Sequence, residues 1–248
     1  MARRSDALVG PNPDLAPGRP DHHHRDIHGG TARAAVFGIS DGLVSNVSII
    51  LGVAGAQSTG GFVRLAGLAG LISGAVSMAA GEYVSMQAQR ELFERELDVE
   101  RRALERRPHV EQVELAHIYE NRGVAPDVAR ELATHMMRDP DLALETHARE
   151  ELGIDPNALG SPMGAATSSF VAFALGALIP LAPWLFADGG GATITSVVLG
   201  AVAAVGVGVL LARFTDRPRW RSGLRQLLIA AVAAGVTYAV GSIVGVSV

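Results

Sequence analysis

The chain has no cysteine and no lysine, and its 248 residues include only seven phenylalanines, three tyrosines and two tryptophans. The missing cysteine excludes disulfides and thiolate metal sites and leaves the redox compartment unread. With no lysine, arginine carries all 21 basic charges; we read this as a compositional habit of the source organism, not as function. The formal net charge is −4, so there is no positive excess to hold nucleic acid, and none is expected as a partner. Charge is also missing over long stretches. Between residues 34 and 56 the only ionisable side chain is Asp41, and between 164 and 212 it is Asp188. Seventeen of the 25 acidic residues crowd instead into positions 91–155.

That segregation matters more than the 48% hydrophobic content. Five stretches, near 34–56, 65–84, 164–186, 193–214 and 224–248, reach the length of about 20 residues that a helix needs to cross a bilayer. The first begins too late and runs too long for a cleaved signal peptide, and four more follow it. Five such helices leave too little polar surface to cover a soluble core. The expected fold is all-α, a five-span transmembrane protein in a lipid bilayer with a small helical cytoplasmic domain inserted between spans two and three. The expected division is a disordered segment at 1–32, spans one and two in 33–90, the inserted domain in 91–160 and spans three to five in 161–248.

Arginine placement sets the expected orientation. Arg3, Arg4, Arg19, Arg25 and Arg33 precede span one, and Arg213, Arg217, Arg219, Arg221 and Arg225 fall around the loop between spans four and five. With five spans, these groups and the charged insert share one side, expected to be the cytoplasm; Arg64, at the outer start of span two, is the mild exception. A bacterial cytoplasmic membrane is the expected location. The "DHHHRDIH" tract near the N-terminus sits in a proline-rich polar setting and is read as incidental rather than as a metal site.

The insert continues directly from span two. After Gly81 no glycine or proline occurs until Pro108, so one unbroken helix should project from the membrane by about 39 Å. Pro108 should end it, because proline lacks the amide that the helix needs. "HVEQVELAHIYENRG" reads as a second helix closed by Gly123, "APDVARELATHMMRD" as a third starting at Pro126, and 141–152 as a short fourth.

Charged runs on such helices are usually solvated faces with pairs at i,i+4, worth a few tenths of a kcal/mol each. Glu91 with Arg95 and Asp98 with Arg102 fit that reading. Two other groupings suit metal. Glu111 and Glu114 share a face, and so do His147 and Glu151, with Glu150 alongside. Oxygen ligands with one imidazole suit Mn(II), Fe(II) and Zn(II). "ELAH" has the Glu-x-x-His spacing of ferritin-like di-iron sites, but those need a second copy and long facing helices, and neither is evident. "HARE" is not the zinc-protease pattern and no Ser/His/Asp arrangement is evident, so no enzyme is expected.

In span one, "GISDGLVSN" keeps Asp41 about 10 Å from the cytoplasmic end, where a carboxylate costs about 2.5–3.5 kcal/mol on insertion scales. Ser45 and Asn46 are candidate helpers if its role is structural. Met78 in span two reaches a similar depth, and Glu82 lies one turn nearer the cytoplasm on the same face. A carboxylate, a thioether and a second carboxylate in series make a cation route, with sulfur favouring softer transition metals. Gly38 and Gly42 form a G-x-x-x-G pair beside Asp41, a spacing that lets a second helix approach closely and is weak evidence for dimerisation.

"SDGLVSN", "GAVSMAAGEYVS", the charged helical insert and "GALIPLAP" together resemble the vacuolar iron transporter family, from about Arg33 to the C-terminus. The resemblance implies a homodimer that exports Fe2+, and in some members Mn2+, from the cytoplasm in exchange for protons, along a path between the first spans; the bound metal is cargo, and no prosthetic group is expected. It also implies that Asp41 and Met78 are membrane metal ligands and that Glu100, Glu111, Glu114 and Glu151 are ligands in the insert. Three positions depart from plant members. Ala103 stands for a glutamate, His147 with Ala148 for a methionine pair, and Gly70 for an acidic residue near the far end of span two. A rival reading is a membrane-anchored metal-binding or metal-sensing protein without transport.

Overall fold

The computed structural model describes residues 30–56, 59–215 and 217–246; the histidine tract at His22 to His24 lies outside them. Eight helices follow in order: α1 (Thr31–Gly55), α2 (Gly60–Arg106), α3 (Pro108–Asn121), α4 (Pro126–Met136), α5 (Pro140–Glu150), α6 (Pro162–Phe186), α7 (Gly189–Thr215) and α8 (Arg219–Val246). Among the described residues the fold is all-helical. Helices α1, α2, α6, α7 and α8 are long and apolar enough to cross a membrane, and the protein is multi-pass. The short helices α3–α5 fall between the second and third spans, as expected.

Helix α2 is one continuous rod of 47 residues, about 70 Å long. The hydrocarbon core of a bilayer accounts for roughly 30 Å of that, so the charged half stands clear of it. Pro108 does not simply stop the rod. It also occupies the first turn of α3, where its missing amide costs nothing. Pro126 and Pro140 start α4 and α5 in the same way, and Asp139 caps α5 by accepting from the amides of Asp141 and Leu142. Past α3, Gly123 takes φ 94°, a left-handed conformation that closes the helix end.

The membrane bundle is built around α6, which packs along α1 and α2. A Cβ on Gly42 would fall on the backbone of Phe173, one on Gly38 would meet the Ser169 carbonyl at 2.8 Å, and one on Gly176 would strike the Ile39 carbonyl. The helix that approaches the G-x-x-x-G pair is therefore α6 of the same chain. Asn46, fully buried, donates from Nδ2 to the Ala177 carbonyl at 2.7 Å and pins the same contact.

At the end of the bundle away from α3–α5, Arg64 Nη1 lies 2.9 Å from Asp188 Oδ1 and 3.4 Å from the Trp184 carbonyl. This ion pair accounts for the arginine that looked out of place in the charge pattern: its carboxylate partner is the one acidic residue on that side.

Candidate metal centre

Two groups of metal-type ligands are assembled, one along α1 and α2 within the spans and one among the inserted helices.

In the membrane, α1 presents Phe37, Asp41, Ser45 and Ile49 at every fourth position, and α2 presents Gly70, Ser73, Gly74, Ser77 and Met78. With Phe173 of α6 these line a cleft of about 360 Å³. Asp41 and Met78, paired from depth alone, thus open onto the same space. Asp41 is exposed on the surface of the single chain, and among the described residues no partner is seen for its carboxylate. The two candidate helpers bond elsewhere: Ser45 Oγ donates to the backbone carbonyl of Asp41 at 2.5 Å, and Asn46 to Ala177. Asn46 Oδ1 is buried with no hydrogen-bond partner and lies 2.9 Å from where a Cβ on Gly70 would stand. Small side chains on α2 are what keep the cleft open. A Cβ on Gly74 would collide with the Phe173 ring.

Glu82 is nearly covered, at 15% side-chain exposure, and lies one turn of α2 beyond Met78. It carries a partner that the sequence did not suggest: Arg33 Nη2 of α1 is 3.7 Å from its Oε2.

The second group forms where α5 and α3 meet the charged half of α2. His147, fully buried on α5, holds Nδ1 3.1 Å from Glu100 Oε1 of α2 and 3.7 Å from Glu151 Oε2 at the end of α5. An ion in tetrahedral coordination with bonds of about 2.1 Å separates its ligand atoms by about 3.4 Å, so these spacings suit a shared cation. The approach to Glu100 is off-axis. Both ring nitrogens and Glu100 Oε1 are buried without a hydrogen bond, and buried polar atoms left so usually have an unseen partner. Glu100, His147 and Glu151 offer ligand atoms all within 4.8 Å of one another, a group able to hold a metal ion.

Glu111 and Glu114 on α3 add charge at this site. Glu111 is buried, with Arg107 Nη2 3.7 Å away, while Glu114 is exposed. Burial, then the charges of Glu100 and Glu114, push the Glu111 carboxyl above its ordinary value. The same three causes raise Glu151. Burial pulls His147 downward, but Glu100 against the ring and the charges of Glu151 and Glu111 outweigh it, so the imidazole holds a proton above its ordinary range. Four carboxylates around one buried ring therefore compete for positive charge, which either protons or a divalent ion can supply.

Glu150 stands apart from this cluster. Its carboxylate pairs with Arg122 Nη1, and Arg122 Nη2 donates to its backbone carbonyl at 3.1 Å. It ties α5 to the end of α3. His117 of "ELAH" is exposed and lies beside Glu120 at 3.5 Å. Ser73 and Ser77 were not singled out from the sequence; their spacing on one face of α2 with Met78 was the available signal.

A sequence model of the VIT family matches residues 32–242. The chain is 28% identical over 229 residues to the vacuolar iron transporter 1 of Oryza sativa subsp. japonica, covering 91% of each. It is 36% identical over 200 residues to a vacuolar iron transporter of Acanthamoeba castellanii, covering 77% of this chain and 73% of that one. It is 31% identical over 214 residues to the vacuolar iron transporter homolog 2 of Arabidopsis thaliana, covering 86% and 84%.

Proposed function

The chain belongs to the VIT family, a family of transporters and not of enzymes, and on that premise we propose that it exports Fe2+, with Mn2+ as a second cargo, from the cytoplasm by proton antiport through a homodimer. The observation that carries the proposal is Asp41, an exposed carboxylate at membrane depth on a cleft it shares with Met78. Facing lipid, it would incur the full insertion penalty. Covered by a second copy across a two-fold axis, it meets its own symmetry mate, and two carboxylates neutralise one divalent ion.

The inserted helices then act as the collecting site. Glu100, Glu111, Glu114, His147 and Glu151 take the ion from the cytoplasm, Glu82 passes it inward, and the paired Asp41 and Met78 hold it. When the ion leaves on the far side, the same carboxylates take up protons. One group cannot be metallated and protonated together, and that exclusivity couples the two fluxes. The same physics argues against a pure sensor, which has no use for an unpartnered acid inside its spans. The site of action proposed is a cytoplasmic membrane with the insert inside the cell.

The test is metal uptake into inside-out vesicles over a panel of divalent ions, with and without a pH gradient, for the full chain and for a form shortened within 91–155. Gradient-dependent Fe2+ uptake that persists at a reduced rate in the shortened form supports transport. Binding without uptake supports the anchored metal-binding reading.

A further inference from the structure

The turn between α7 and α8 carries a cationic pocket that lies outside the proposed metal route. Arg217, Pro218, Arg221, Ser222 and Arg225 line a cavity of about 370 Å³. Arginines here are expected from the charge asymmetry of membrane loops, but that asymmetry needs only their presence on one side, not their convergence. Three of them are spaced four apart and point into one concavity, and among the described residues no carboxylate lines it. Among the described residues none of the three is ion-paired.

The pocket floor is closely packed. Ser222 is buried, and a Cβ on Gly208 of α7 would fall on its carbonyl, so the first turn of α8 is clamped against α7. The pocket is also placed at a membrane boundary. Trp220 is 66% exposed, with Arg221 Cζ 5.2 Å from its ring centroid; such a ring beside a cation is characteristic of the headgroup level. Beyond Arg225 the same face of α8 continues with Ile229, Val232 and Val236, all at least half exposed. Guanidinium groups bind phosphate oxygens in bidentate fashion, and an apolar strip leading away from them suits acyl chains.

We propose that this pocket binds the phosphate of an anionic phospholipid, with the lipid's chains lying along Ile229, Val232 and Val236. A soluble phosphate would satisfy the arginines but leave the strip unused. The α7–α8 turn lies on the same side as the inserted helices, because α6 and α7 cross between them, and in the orientation proposed above this is the leaflet that carries anionic lipid.

Trp220 is the reporter. The chain has one other tryptophan, Trp184, which is buried at the opposite end of the bundle. The full chain is placed in phosphatidylcholine nanodiscs containing increasing brominated phosphatidylglycerol or brominated phosphatidylcholine, and quenching is followed. The expected result is quenching by the anionic lipid at a much lower mole fraction. Arg217→Gln, Arg221→Gln and Arg225→Gln should each weaken that preference by about fivefold, the effect of one arginine near an anionic surface. Arg219→Gln, exposed and outside the pocket, should leave it nearly unchanged. Equal quenching of the native chain by both lipids overturns the proposal without recourse to any variant. An effect of Arg219→Gln as large as that of Arg221→Gln shows general surface attraction and also overturns it. Loss of the preference on adding inorganic phosphate would reassign the pocket to a soluble anion.

Discussion

His147 Nδ1 stands 3.1 Å from Glu100 Oε1 at a point where both atoms are buried and neither makes a hydrogen bond. A helix from the insert and the projecting half of a membrane span are thus joined through a contact that only a proton or a cation completes. The surroundings favour the proton at this contact, since His147, Glu111 and Glu151 are all raised above their ordinary values. A raised group binds more protons folded than unfolded, so stability falls as pH rises through its folded value. The metal-free protein should therefore lose stability on going upward from the ordinary carboxyl range, near 4.5, and again above the ordinary imidazole value, 6.5. Bound metal should reverse the trend, because deprotonation supplies its ligands. Thermal unfolding against pH, with and without Fe2+ or Mn2+, checks both signs.

The imidazole should also set ion preference. Nitrogen ligands favour Fe(II) over Mn(II) along the Irving–Williams order. Removing it with His147→Ala should weaken Fe2+ binding by at least the roughly 10–100-fold seen when a supporting partner of a metal ligand is lost, and Mn2+ binding by less. Glu150→Gln should leave both affinities unchanged, since its carboxylate is taken by Arg122. Calorimetric titration of the two variants with both ions separates ligand from brace.

On the proposed route, Arg33 should compete with the cargo for Glu82. Their separation is 3.7 Å and Arg33 is 72% exposed, and pairs with an exposed partner contribute about 0–1 kcal/mol. Arg33→Gln should then raise the initial transport rate at low metal by no more than about fivefold, with little change at saturation. Initial rates over a range of Fe2+ concentrations give the answer; a lower rate at low metal would mean that Arg33 positions Glu82 instead of blocking it.

Two glycines predict opposite outcomes. Gly42→Ala drives a Cβ into the Phe173 backbone and should destabilise the α1–α6 contact by about 1–3 kcal/mol. Gly81 has nothing within 4 Å of the added atom, so Gly81→Ala should stabilise α2 by about 1 kcal/mol through helix propensity. Thermal unfolding in detergent distinguishes them.

The spans and the inserted helices were legible because they depend on local quantities: runs without charge, prolines at first turns, and glycine at a helix end. Boundaries moved by up to five residues, from one at the start of α5, Pro140 instead of Asp141, to five at the start of α8, Arg219 instead of Leu224. The metal cluster was legible only in part. His147 and Glu151 follow from helical spacing, but Glu100 lies on another helix, and only resemblance pointed to it. Glu150 shares the neighbourhood by sequence and is drawn away by Arg122, a partner just past the end of α3 that spacing along α5 cannot reveal. The same limit hid Arg33 opposite Glu82. For Gly38 and Gly42, spacing indicated that a helix comes close without saying which one; the fold answers with α6.

The Asp41 carboxylate, doubled in a homodimer, is proposed to serve in turn as the seat of metal and of proton. The most direct test is Asp41→Asn, close to it in size but without charge, reconstituted in proteoliposomes with Fe2+ influx and internal pH recorded together. Both fluxes should disappear while the inserted helices still bind metal. Fe2+ and proton movement at the native rate and ratio would contradict this role.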